Sequence, residues 1–206
     1  MQAILDQLAK RKAELAEFQT TEAMDAISEW YGPLIDKAER KLDAVLIANT
    51  SRRIKIYMIQ SIMSEVREDP SARVACKKGC SNCCHQQVTL SQLEADAISD
   101  RIGIKAVTLR PGHKVRSVNA YGPETPCSFL LDGSCSIYEN RPVVCRNLVN
   151  ADRDNLLCSF ENVELMRQND PRCVYIPMPD AGALVDACIN LGRNTVHGDI
   201  RDFFPA

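Results

Sequence analysis

Four cysteines fall within nine consecutive positions, in the run Cys76-Lys-Lys-Gly-Cys80-Ser-Asn-Cys83-Cys84. Free cysteine is among the most buried residue types, but an inert core stretch does not carry Lys77, Lys78, Ser81 and Asn82 between its thiols. Sulfurs so closely spaced either cross-link or converge on a shared ligand, and Gly79 allows the tight turn that convergence needs. The chain holds 10 cysteines and only 3 histidines in 206 residues, a length that buries a core without disulfide staples. Met1 to Lys12 alternates apolar and charged residues, with no apolar run of the kind a secretory leader carries. A cytoplasmic, reducing setting is therefore expected, and there the pattern reads as metal binding rather than disulfides.

More cysteines follow. Cys127 and Cys135 flank Leu130-Leu131-Asp132-Gly133-Ser134, whose Asp-Gly pair predicts a tight hairpin. Cys145 lies just past Pro142, a residue suited to the first turn of a helix. A knuckle, a hairpin and a helix-borne thiol can surround a metal from three sides. The candidate ligands are Cys76, Cys80, Cys83, Cys84, Cys127, Cys135 and Cys145. Adjacent side chains rarely face one point, so Cys83 and Cys84 are not expected to serve one ion alike. Cys158, Cys173 and Cys188 stand alone in apolar surroundings and read as core. Four thiolates around a divalent zinc, or an oxidised four-iron cluster, leave a net charge of about −2. Arg141 and Arg146 are the cationic neighbours able to balance it.

Helical periodicity fills both sides of this centre. Ile4, Leu5, Leu8, Leu15 and Phe18 form one stripe, and Gly32-Pro33 reads as the start of a second helix. That helix continues through Leu34, Leu42 and Val45, breaks near Asn49-Thr50-Ser51, and resumes until Pro70. Ser91-Gln92-Leu93-Glu94 is a capping box opening a helix to about Arg101. Ile104 to Leu109 has extended character, and Leu156 to Arg167 and Ala181 to Val196 read as helices. Phe203-Phe204 should dock on the body. The expected fold is mainly α: a helical scaffold around an irregular cysteine-rich metal-binding centre with a short hairpin. It divides into a helical region 1–70, a cysteine region 71–150 and a helical region 151–206, packed as one unit.

A formal net charge of −2 and a pI near 6.0 argue against a nucleic-acid partner. The basic residues Lys105, Arg110, His113, Lys114 and Arg116 lack the interleaved aromatics of a strand-binding surface. No apolar run is long enough for a bilayer, so no membrane partner is expected. The N-terminal helices read as scaffold or as a surface for a protein partner or self-association. His85 reads as solvated or as a neighbour of the ligands rather than as one of them.

The combination of Cys76, Cys80, Cys83-Cys84, Pro126-Cys127-Ser128-Phe129-Leu130, Cys135-Ser136-Ile137-Tyr138-Glu139-Asn140-Arg141-Pro142 and Cys145-Arg146 resembles the YkgJ-type cysteine-cluster family. That family is described as a zinc- or iron-chelating domain, so the resemblance, which covers residues 76 to 148, implies zinc or iron. Some of its relatives are flagellin lysine methylases, associated with an iron–sulfur centre and S-adenosylmethionine. That activity is not carried over, because the chain has no Gly-x-Gly turn. A closed four-thiolate site leaves no position for substrate, which favours a non-catalytic metal or interaction module. An iron–sulfur enzyme or electron carrier, and a thiol redox sensor, are the alternatives.

Overall fold

The computed structural model describes residues 1–17 and 20–205. Three helices open the chain: α1 (Gln2–Glu17), α2 (Thr20–Ile47) and α3 (Arg52–Glu68). Phe18, the last member of the first apolar stripe, lies outside the described residues. Gly32-Pro33 does not start a helix as expected, since α2 begins at Thr20 and runs through Pro33. An internal proline forfeits one backbone bond and costs about 3 kcal/mol. Burial outweighs it: Tyr31, Ala38, Leu42 and Val45 of α2 pack on Ile56, Ile59, Ile62, Met63 and Val66 of α3. Each fully buried aliphatic side chain contributes roughly 1.5–3 kcal/mol. The break before α3 is where the sequence puts it, with Ser51 accepting the Ile54 N–H at 3.3 Å. Asp69 and Pro70 end the helix.

β1 (Thr89–Ser91) leads into α4 (Gln92–Ile102), which closes on Gly103 at φ +72°. Only half of the capping box forms. Ser91 Oγ accepts the Glu94 N–H at 3.2 Å, whereas the Glu94 side chain turns into the core. Ile104 to Leu109 forms no strand: Val107 N–H meets the Phe203 carbonyl at 2.8 Å, while the Ala106 and Leu109 N–H groups and the Val107 carbonyl bond to the Ser99 and Gln92 side chains instead of a neighbouring strand. β2 (Leu130–Leu131) and β3 (Ser134–Cys135) make the expected hairpin. Asp132 and Gly133 have φ of 48° and 72°, the left-handed pair that a type I′ turn requires. Pro142 then caps α5 (Val143–Asn147), as its position predicts.

Leu156 to Arg167 splits at Ser159 into a one-turn 3-10 helix and α6 (Phe160–Arg167). Ser159 Oγ accepts the Asn162 N–H, so the cap restarts the backbone ladder. α7 (Gly182–Gly192) ends four residues short of Val196, because the chain must extend to form β4 (His197–Asp199). β4 pairs antiparallel with β1, Leu90 opposite Gly198. α8 (Ile200–Phe203) follows, and Phe203 and Phe204 are buried, as expected. The fold is mainly α around two small two-stranded sheets. Among the described residues, no helix is long and apolar enough to cross a membrane.

Three apolar clusters organise the interior. The largest joins α2 and α3 to Leu93, Ala97, Val143 and Leu184. The second holds Val88, Ile98, Phe129, Ile200, Phe203 and Phe204. The third packs Leu8 of α1 against Leu157, Leu165, Cys173 and Val174. Cys127 belongs to the second, and Cys84, Cys135 and Cys145 pack against it.

Candidate metal centre

All seven candidate cysteines line one cavity of about 50 Å³. The run after α3 enters it through an irregular turn with Gly79 at φ +91°, and a 3-10 turn (Asn82–His85) carries Cys83 and Cys84. The turn leading into the hairpin supplies Cys127, the hairpin itself Cys135, and α5 Cys145. A backbone bond from Cys127 N–H to the Cys84 carbonyl, 2.7 Å, ties hairpin to knuckle.

Three of these sulfurs share a local device. The backbone N–H of the residue two positions on donates to the thiol: Asn82 to Cys80, Phe129 to Cys127, and Ile137 to Cys135. Such inward N–H groups are what a thiolate needs when it leaves water. Cys76 Sγ receives the backbone N–H of Asn150 at 3.3 Å.

The walls are otherwise apolar, formed in part by Val88, Phe129, Ile137 and Ile200. Burial accordingly pushes the Cys80, Cys127 and Cys135 thiols up, and Cys145 well up. The adjacent pair splits. A hydrogen bond between the two side chains lowers Cys83, helped by Arg67 and Arg141, and raises Cys84 together with its burial. Both of these neighbours reach the cavity, because the 3-10 turn swings successive side chains through about 120° rather than opposing them. Among the described residues, no three of His, Cys, Asp and Glu are drawn in far enough to form a closed metal cage. The sulfurs ring a chamber. The donor set, all thiol and assisted by inward N–H groups, fits zinc or iron and not a hard, oxygen-seeking cation.

Arg141 lines the cavity, its guanidinium 3.6 Å from the Tyr138 ring centre and its Nε–H donating to the Tyr138 carbonyl at 2.6 Å. Arg146 is 3% exposed and donates to the Arg141 and Glu139 carbonyls and the Ser64 hydroxyl. Burial and then the neighbouring Arg141 charge hold its pKa down to about 10. Arg67, in the last turn of α3, also lines the cavity and was not singled out by the sequence, since a helix-terminal arginine is ordinary.

Two further groups escape sequence reasoning. Arg201 donates to the carbonyls of Cys84 (3.0 Å), Thr125 (2.9 Å) and Pro126 (3.0 Å), joining the knuckle to the approach to Cys127. It is held in turn by Asp199, which is fully buried and accepts the Val88 N–H at 2.8 Å. Nothing in the spacing of Arg201 signals a role more than 100 residues upstream. Cys158 is the other. It is half-buried rather than core, and the Asn150 side-chain N–H donates to its sulfur at 3.4 Å. Burial raises its thiol to about 12, with Cys76 and Cys80 the next causes, so it stands beside the cluster. Cys173 and Cys188 are buried in apolar clusters, as expected.

His85 does not line the cavity. Its ring meets Phe160 edge-on at 5.0 Å and faces a separate cleft of about 530 Å³. In the basic stretch, His113 and Arg116 are taken up by Asp202 at 3.0 and 3.6 Å.

Residues 75–174 match the family model CxxCxxCC, described as “Putative zinc- or iron-chelating domain”. That description agrees with the cysteine-cluster family that the spacing of these residues resembles. The match spans just under half of the chain and takes in every cysteine of the cavity together with Cys158. Neither the curated proteins nor the solved structures include a match to the chain.

Proposed function

We propose that the chain holds zinc or iron through the thiolates of Cys76, Cys80, Cys83, Cys84, Cys127, Cys135 and Cys145, as a non-catalytic centre that fixes residues 76 to 148. The observation that carries this reading is the gathering of seven cysteines from three separate segments around one small chamber. Three of them have a backbone N–H already aimed at sulfur. Arg67 and Arg141 at the wall, with Arg146 behind them, would balance the negative charge of bound thiolates. The bound metal would replace apolar packing as the organiser of polar, turn-rich loops. Ten unpaired cysteines are consistent with a reducing cytoplasm.

Anaerobic purification followed by metal and sulfide analysis tests the proposal. A colourless protein with stoichiometric zinc supports the structural module. A brown protein with iron and inorganic sulfide moves the reading to an iron–sulfur enzyme or electron carrier. A chain that binds neither metal after reduction and reloading refutes it.

A further inference from the structure

An eighth sulfur, that of Cys158, stands beside the seven that line the chamber, and the eight divide into two groups of four by what packs against them. Cys127 is buried in the second apolar cluster, with Cys84, Cys135 and Cys145 packed against that same cluster. Backbone bonds hold these together, since the Cys127 N–H meets the Cys84 carbonyl and the Leu130 N–H meets the Cys127 carbonyl. Leu130 pairs with Cys135 across the hairpin. Cys76, Cys80, Cys83 and Cys158 stand outside that cluster. Asn150 binds two of them at once, its backbone N–H on Cys76 and its side-chain N–H on Cys158. Cys76, Cys80 and Cys83 are the sulfurs whose charges Cys158 feels, and Cys83, at the border of the two groups, also acts on Cys84, Cys135 and Cys145.

On the reading that the chamber binds metal through thiolates, we infer that it holds two metal ions, one in the set Cys76, Cys80, Cys83 and Cys158, the other in the set Cys84, Cys127, Cys135 and Cys145. Adjacent Cys83 and Cys84 then belong to different ions, and the peptide between them is the seam of a paired centre. This answers the geometric objection that neighbouring side chains do not serve one point alike. Each ion receives the four thiolates that a tetrahedral site takes, with none left over.

Charge agrees. Two divalent ions in eight thiolates leave a net charge of about −4, twice that of a single site. Three guanidiniums stand around the chamber: Arg67 beside Cys80 and Cys83, and Arg141 and Arg146 beside Cys135 and Cys145. Arg141 and Arg146 spend their N–H groups on backbone carbonyls and a serine hydroxyl, not on carboxylates, so their charge is available to the centre.

The test is titration of the reduced full-length chain with Co²⁺, read by the thiolate-to-cobalt absorption, and with Zn²⁺, read by native mass spectrometry. The wild-type chain should saturate at two equivalents of either ion. Cys158→Ser and Cys127→Ser should each saturate at one, and the double variant at none, whereas Cys173→Ser and Cys188→Ser should retain two. Saturation of the wild type at one equivalent overturns the paired centre while leaving thiolate metal binding intact. No binding at all overturns the underlying reading as well. A Cys158→Ser chain that still takes two ions shows that the first set is wrongly drawn. Because the wild-type stoichiometry is decisive alone, a variant that fails to fold does not protect the proposal.

Discussion

Glu94 and Val143, 49 residues apart, are joined by a 2.7 Å bond from the Val143 backbone N–H to Glu94 Oε1. The same oxygen accepts from the Gln60 side chain at 3.1 Å, so one buried carboxyl group ties α3 and α4 to the first turn of α5. Because α5 carries Cys145, this bond sets the depth at which that thiol meets the chamber. Glu94→Ala strips acceptors from two buried donors, and unsatisfied groups of this kind cost about 1–3 kcal/mol each. Chemical denaturation should show a loss of roughly 2–4 kcal/mol, with lower metal content when Cys145 is displaced.

The same residue gives a pH signature. Burial pushes the Glu94 carboxyl above its ordinary value of 4.5. A carboxyl raised by folding favours the protonated form in the native state. Its contribution to stability is thus fullest below 4.5 and is lost as pH rises toward the folded value. Glu94→Gln cannot ionise. The melting temperature of the wild type relative to Glu94→Gln should fall as pH is raised from about 4.5 to neutrality. A difference that is flat with pH, or that grows, would show that the carboxyl is not held neutral.

A close approach between α7 and the start of α4 gives a third expectation. A methyl group at Gly192 would lie 2.3 Å from Ser91 Oγ and 2.6 Å from Ser91 Cβ. Gly192→Ala should therefore destabilise by about 1–3 kcal/mol, the usual cost of overpacking. Adding Ser91→Gly should restore most of it, because a glycine at an N-cap costs only a few tenths of a kcal/mol. Thermal melts of the single and double variants check this.

Arg201 offers a test of how the knuckle is held. Arg201→Ala removes donors from the carbonyls of Cys84, Thr125 and Pro126 and leaves Asp199 buried without its ion-pair partner. A loss of roughly 3–5 kcal/mol is expected. Hydrogen exchange should speed up at residues 82–86 and at Thr125 and Cys127 first. Arg201→Lys should not rescue, since an ammonium cannot reproduce the planar fork that spans these carbonyls.

Chelation of the metal should loosen residues 76–148 far more than α2 and α3. Those two helices own a large shared apolar face, whereas the cysteine loops contain mostly half-buried positions and short turns. Exchange measured on loaded and stripped protein decides it, and equal protection of the cysteine loops in both states would refute the expectation.

Much of this was legible because the signals were local. Asp132-Gly133 dictates left-handed backbone at two positions, and Ser51, Ser91 and Pro142 mark helix starts through their own side chains. The seven gathered cysteines announced themselves by density. What stayed hidden depends on distant partners. Pro33 passes through α2 because α3 rewards the helix that contains it. Glu94 fits a capping box by spacing, yet Gln60 and Val143 draw its side chain inward. Cys158 looks solitary along the chain, and only the loop through Asn150 brings it beside Cys76.

The ladder between β1 and β4 joins Leu90 to Gly198, and Asp199 holds the Val88 N–H just before it. Segments on either side of Cys127, Cys135 and Cys145, more than 100 residues apart, must therefore meet before the second apolar cluster closes over Cys127 and Cys145. Contacts so distant form late, because the entropy of closing a long loop is lost before the contact repays it. A nascent chain consequently passes through an interval in which every thiol of the cluster has been synthesised while Cys84, Cys127, Cys135 and Cys145 are not yet enclosed. During that interval the knuckle is open to metal donors and to oxidants alike, so the order of synthesis makes metal capture a race against thiol oxidation.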